Sequence, residues 1–259
     1  MDRDLTRVRW PAMRAAVITD IHANLPALEA ILGAIEEAAA EEIWCLGDVV
    51  GYGADPDRCA DLVRERCSIC LVGNHDLAVL GALDIGAFSE AAAAAVVWTR
   101  ENVAERTLAM LRELEPAGER EDVSLFHASP RDPVWEYVLS AEQADACLDV
   151  QKARLGLIGH SHVSLFFVRP TAEEQGEEIR GAQSSDDTLL DLAAGKWLIN
   201  PGSVGQPRDG DPRAAWLELD TSAYTARFHR VGYDVERAAA SISSAGLPRR
   251  LAERLHVGS

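Results

Sequence analysis

Apolar runs and amphipathic stretches alternate through the first third of the chain. Arg14 to Thr19 (RAAVIT) is an apolar run stopped by Asp20, which predicts a buried strand. Asn24 suits the N-cap of the next segment, with Pro26 in its first turn, and Leu25, Leu28, Ile31, Leu32 and Ile35 recur at helical spacing. Ile43 to Leu46 predicts a second strand, Pro56 to about Arg66 a second helix, and Ser68 to Val72 a third strand. That alternation implies a parallel sheet with right-handed crossovers. Residues 77–115 then read as a helical insertion or cap, alanine-rich from Glu90 to Trp98 and with Leu108, Leu111 and Leu114 on a later face.

Strands resume at Asp122 to His127, Arg154 to Gly159 and Val163 to Val168. The polar stretch Thr171 to Ser185 reads as a hairpin loop, with the acidic run Glu173 to Glu178 solvated. Thr188 to Leu192, Lys196 to Ile199, Ala214 to Leu219 and Tyr224 to Val231 predict strands of a second sheet. Helices near Val235 to Ser244 and Pro248 to Leu255 finish the pattern. Without an internal repeat or a Pro-, Gly- or Ser-rich linker, residues 1–259 are expected to form one domain, with 1–12 as an N-terminal extension.

Charge narrows the partners. A net charge of −17 repels nucleic acid and anionic membranes, which need Lys and Arg contacts. No apolar run approaches the ~20 residues that span a bilayer. The opening MDRDLTRVRWPA lacks the apolar core of a signal peptide, so a cytoplasmic protein is expected. Cys45, Cys59, Cys67, Cys70 and Cys147 are odd in number and lack framework spacing. Cys67-x-x-Cys70 lies where a helix ends, whereas a redox pair usually opens one, so these read as plain buried thiols.

The strand ends carry the chemistry. They deliver Asp20-x-His22, Gly47-Asp48, Gly73-Asn74-His75-Asp76, His127 and Gly159-His160-x-His162. In open α/β sheets ligands bind beyond the carboxyl ends of the strands, so these groups converge on one rim. Each piece alone is an ordinary turn or cap; the ordered set is not. Imidazole suits borderline metals, and carboxylate and amide oxygens suit harder ones, which points to two divalent cations: Mn²⁺ first, with Fe, Zn, Ni or Co also suited. Asp48 is the natural bridge between them, because a carboxylate has two oxygens.

This series, from Val17 to about Val204, closely resembles the calcineurin-like metallophosphoesterase superfamily. The resemblance implies a four-layer αββα sandwich with two mixed β-sheets flanked by helices. It implies one metal held by Asp20, His22, Asp48 and His162 and another held by Asp48, Asn74, His127 and His160. It makes His75 the general acid or charge stabiliser, oriented and charged by Asp76, while a hydroxide held between the ions attacks phosphorus in line.

Departures shape the expected substrate. GDVVGYG and Val72-Gly73-Asn74 lack the arginines that protein serine/threonine phosphatases of this family carry, which argues against phosphoproteins. NPGSVGQPRDGDPRAA (200–215) resembles small bacterial phosphodiesterases of the superfamily. A small phosphodiester is therefore expected. A phosphomonoesterase and a non-catalytic metal-binding scaffold of the same fold are the alternatives. Arg208, Arg131, Asn24 and Tyr52 are candidate substrate contacts. Arg208 reads either as a bidentate phosphate grip or as a salt bridge to Asp209, Arg131 as the same grip or a bridge to Asp132, and Tyr52 as a base-stacking or a packing residue. Trp98, Trp135 and Trp216 read as core or interface residues.

Overall fold

The computed structural model describes residues 12–171 and 178–259. Apart from Ala12, the expected N-terminal extension lies outside the described residues, as does all of the acidic run but Glu178. The opening alternation is present: β1 (Arg14–Ile18), α1 (Leu25–Glu37), β2 (Glu42–Cys45), α2 (Pro56–Arg66) and β3 (Ile69–Cys70). Asn24 caps α1 by accepting from the Ala27 amide at 3.2 Å, and Pro26 occupies the first turn. The insertion comprises α3 (Asn74–Val79), a 3-10 turn (Ile85–Ala87), α4 (Glu90–Asn102) and α5 (Glu105–Arg112). The chain continues through β4 (Ala117–Arg120), β5 (Val123–Phe126), α6 (Ala141–Val150), β6 (Leu155–Leu157), β7 (Leu165–Arg169), β8 (Arg180–Gln183), β9 (Leu189–Asp191), β10 (Lys196–Asn200), β11 (Ala214–Asp220) and β12 (Thr225–Val231). It closes with α7 (Val235–Ser244), α8 (Arg249–Glu253) and a 3-10 turn at Arg254–His256.

Two mixed six-stranded sheets form, in the orders β3-β2-β1-β11-β12-β9 and β4-β5-β6-β10-β7-β8. The late strands divide differently from the sequence expectation. Only β10 joins the second sheet, parallel to β6. β11 pairs antiparallel with β1, and β12 and β9 extend that first sheet. Apolar patterning sets which face of a strand is buried but not which neighbour it takes. The expected hairpin loop also yields a strand, because β8 pairs antiparallel with β7.

Period-two alternation sorts the core into layers. Val17, Trp44, Leu125, Leu157, Trp197, Ile199 and Leu217 fill the space between the sheets. Ala16, Ile18, Ile31 and Val63 pack sheet one against α1 and α2, while Leu148, Phe167 and Leu198 pack sheet two against α6. Strands buried on both faces read as continuous apolar runs, which is why the sequence exposed them so clearly. The insertion joins the C-terminal helices through Ala91, Ala95, Ile242 and Leu251.

Candidate metal centre

The loops leaving β1, β2, β3, β5 and β6 meet at one rim. They are cross-stitched: the amides of Asp20 and His22 donate to the Gly47 and Asp48 carbonyls at 3.0 and 2.9 Å, and Gly159 donates to His127 at 2.7 Å. The 200–208 stretch belongs to the connection from β10 of sheet two to β11 of sheet one. The Ser203 hydroxyl and Gly205 amide donate to the Asp20 carbonyl, and the Arg208 amide to that of His162. Asp20, His22, Asp48, His160 and His162 all hold left-handed backbones, with φ between 50° and 63°. Non-glycine residues there cost on the order of 1 kcal/mol or more each, and such strain gathers at functional sites.

Each carboxylate spends one oxygen on the fold and presents the other. Asp20 Oδ2 accepts from the Thr19 hydroxyl and the His160 amide, both at 3.0 Å. Its Oδ1 has no partner and lies 3.4 Å from His162 Nε2 and 3.9 Å from His22 Nε2. Asp48 Oδ1 accepts from the His75 amide at 2.9 Å. Asp48 Oδ2 is likewise orphaned, 3.5 Å from His22 Nε2 and 3.6 Å from His127 Nε2.

The imidazoles are fixed by backbone carbonyls. His22 Nδ1 faces Val50 O at 3.2 Å, His127 Nδ1 faces Leu46 O at 2.9 Å, and His162 Nδ1 faces Gln206 O at 2.6 Å. A carbonyl only accepts, so each Nδ1 carries the proton and each Nε2 a lone pair. Those lone pairs converge: His22 Nε2 and His162 Nε2 stand 3.1 Å apart, and His127 Nε2 stands 3.2 Å from Asn74 Oδ1. His160 bonds the Trp135 backbone and leaves Nε2 unpartnered.

Acceptors facing acceptors inside a protein repel unless a cation lies among them, so these residues fit divalent metals. Potential ligand atoms gather as Asp20, His22 and His162; as Asp48, His127 and His160; and as His22, Asp48 and His75. Burial holds His22, His75, His160 and His162 neutral, with His160 down to about 2 and the other three well below the usual imidazole range. Burial, helped by the Asp48 carboxylate, pushes Asp20 up to about 7; burial and then Asp76 raise Asp48. A bound cation inverts this balance in favour of carboxylate.

The other expected residues separate. His75 is buried, in ring contact with Tyr52 at 4.3 Å and in edge contact with His22 at 4.8 Å. Asp76 does not touch its ring. Its carboxylate accepts the amides of Val49, Val50 and Gly73 at 3.2, 2.9 and 3.0 Å, which locks the Asp48 loop onto the start of α3. Arg208 does not pair with Asp209, which is held by Arg230. Its Nη2 donates to Gln206 Oε1 at 2.9 Å and the Tyr52 hydroxyl at 3.3 Å, and its buried Nε has no partner. Arg131 pairs with Glu136 at 3.4 Å rather than with Asp132. The Asn24 amide is taken up by the α1 cap and by bonds to Gly205 O and the Tyr233 hydroxyl. Tyr52 is 8% exposed and packs on His22 at 4.6 Å.

Three contributors were not named as site residues from sequence. Gln206 anchors both His162 and Arg208. Trp135 reaches the rim instead of the core, 6.4 Å from His160. Arg254 has its pKa lowered by burial and then by the nearby Arg208 guanidinium. The proline- and glycine-bracketed NPGSVGQPR was the available signal for Gln206; nothing in sequence marked the other two.

Known proteins agree with this layout. A model of the calcineurin-like phosphoesterase superfamily domain matches residues 13–222. An uncharacterized protein of Methanocaldococcus jannaschii is 37% identical over 250 residues, spanning 94% of this chain and 97% of its own. The crystal structure of a metallophosphoesterase from Sphaerobacter thermophilus matches with a TM-score of 0.85 at 37% identity, covering 96% of this chain and 100% of that one. A hypothetical protein from Pyrococcus horikoshii OT3 shares the fold, with a TM-score of 0.75 at 19% identity over 95% of this chain and 98% of its own. Since the family model covers residues 13–222 and two relatives at 37% identity span nearly the whole chain, the chain belongs to the calcineurin-like phosphoesterase superfamily.

Proposed function

We propose that the protein is a binuclear metal-dependent phosphoesterase that acts on small phosphodiesters. The observation that carries this reading is Asp48 Oδ2, orphaned between His22 on one side and His127 on the other. One ion would take Asp20, His22, Asp48 and His162, and the other Asp48, Asn74, His127 and His160, with Mn²⁺ the first choice. Bound, the ions would supply Lewis acidity that polarises a phosphoryl group and lowers the pKa of water.

The chain's own groups do the rest. Arg208 offers an uncommitted Nε–H to a phosphoryl oxygen, and Gln206 and Tyr52 steady its guanidinium. His75, beside the His22 and Asp48 donors and held neutral by burial, offers an N–H hydrogen bond that stabilises charge on the leaving oxygen. Asp76 acts as a positioning residue for Asp48. A diester monoanion needs fewer cations than a monoester dianion, which suits a rim where Arg208 presents a buried, unpartnered Nε–H and no arginine stands before Gly73-Asn74. No described helix is long and apolar enough to cross a membrane, and five free cysteines suit a reducing cytoplasm.

The test is hydrolysis of bis(4-nitrophenyl) phosphate and 4-nitrophenyl phosphate by metal-stripped protein, with and without Mn²⁺. Metal-dependent diester cleavage, with the monoester cut poorly and a fall of ~10²–10⁴-fold in His75→Ala, is expected. Two bound equivalents of metal without cleavage of either ester would replace the enzyme by a metal-binding scaffold. Preference for the monoester would make it a phosphomonoesterase.

A further inference from the structure

Aromatic rings form a continuous arc over the centre. Tyr52 lies against His75 at 4.3 Å, His75 meets Phe88 edge-on at 5.0 Å, and Phe88 meets Trp135 at 5.1 Å. Trp135 lies 6.4 Å from His160, on which Tyr137 stacks at 4.2 Å and 27°. The arc has two sources. Phe88 follows the 3-10 turn of the helical insertion, while Trp135 and Tyr137 sit on the turn between β5 and α6.

Phe88 also packs against two apolar clusters, but packing alone does not account for Trp135 and Tyr137. Trp135 and Tyr137 belong to none of the apolar clusters of the core, and Tyr137 is 42% exposed. Their turn is nevertheless rigid. The Ser129 hydroxyl accepts the amides of Arg131 and Asp132 at 3.1 and 3.0 Å, and Asp132 Oδ1 accepts those of Val134 and Trp135, both at 3.1 Å. A surface turn braced this way holds large rings in place before any ligand arrives, which lowers the ordering cost of binding. At the other end of the arc stands Arg208, its Nε–H free, with its guanidinium 5.7 Å from the Tyr52 ring centre.

We infer that Phe88, Trp135 and Tyr137 are specificity-determining residues that select phosphoesters whose alcohol carries a flat aromatic ring, as a nucleobase does. This rests on the phosphoesterase reading and names the substrate class of that site. Phosphate at the centre and a ring against the wall lie a short span apart, as in a nucleotide ester. Tyr52, enclosed by His22 and His75, shapes the floor and does not meet the ring. The net charge of −17 keeps the substrate small, because a long polyanion would be repelled. The insertion gains a role, since it supplies one side of the wall.

The test compares adenosine 5′-(methyl phosphate) with ribose 5-(methyl phosphate), which lacks only the base, using Mn²⁺-loaded protein and bis(4-nitrophenyl) phosphate as the activity reference. Stacking of one base on a protein aromatic is worth roughly 10-fold or more in binding. The wild type should prefer the adenosine ester by at least that factor in kcat/KM. Trp135→Ala and Tyr137→Ala should erode the preference through KM, and Trp135→Phe should restore most of it, with melting temperature and metal content unchanged. A wild-type ratio near one overturns the inference. So does a ratio that survives both alanine variants, or one that falls through kcat while KM for the adenosine ester stays unchanged. Failure to cut even the reference diester would instead sink the phosphodiesterase reading, and this inference with it.

Discussion

Asp48 divides its carboxylate between two tasks, with Oδ1 on the His75 amide and Oδ2 facing two imidazole lone pairs. Asp48→Asn keeps the shape and removes the charge. It is expected to lower bound metal below two equivalents and activity by more than the ~10²–10⁴-fold typical of one acid–base group, read by metal analysis beside the diester assay. Gly73 tests the same point sterically. A Cβ there would stand 2.0 Å from Asp48 Oδ1. Gly73→Ala should therefore displace the carboxylate and weaken metal binding, whereas Gly33→Ala, with nothing within 4 Å, should leave it intact and act as the control. At this scale the ligand types were legible because each follows an apolar strand. The departures came from residues whose partners are remote in sequence: Asp76 bonding Val49 and Val50, Arg230 taking Asp209 from Arg208, and Trp135 turning toward His160.

Among the elements, α6 was missed although its start carries a capping box. Ser140 accepts the Gln143 amide at 3.2 Å, and Gln143 Oε1 accepts the Ser140 amide at 3.1 Å. Ser140→Ala should cost about 1 kcal/mol of stability in urea unfolding and leave metal content unchanged. β4 (AGER) and β8 (RGAQ) were also missed, since neither carries an apolar run. Both are edge strands, and their existence depends on β5 and β7 offering a free side. Elements buried on two faces, such as β1 and β10, announce themselves; elements made by pairing do not.

On the scale of the whole molecule, the centre ties the two sheets together. Asp20, His22, Asp48 and Asn74 come from loops of sheet one, and His127, His160 and His162 from loops of sheet two. Metal bound only by the folded state adds stability by mass action. At free metal 100-fold above Kd, each site contributes roughly 2.7 kcal/mol, a rise of about 5–10 °C in Tm for a domain of this size. Melting with EDTA and then with Mn²⁺ should show that difference, and Asp48→Asn should shrink it. An unchanged Tm would mean the donors hold no ion that bridges the sheets.

The order of the strands with apolar runs and of the helices other than α6, the chemistry of the donors and their place at strand ends were determined by the sequence alone, because burial periodicity and side-chain type are local properties. Tertiary structure decided which sheet receives β11 and β12, which oxygen of each carboxylate is free, and which rings reach the rim. Those depend on neighbours far along the chain, such as Glu218 opposite Ala16 or Trp135 beside Phe88, and no local pattern encodes the distance between them.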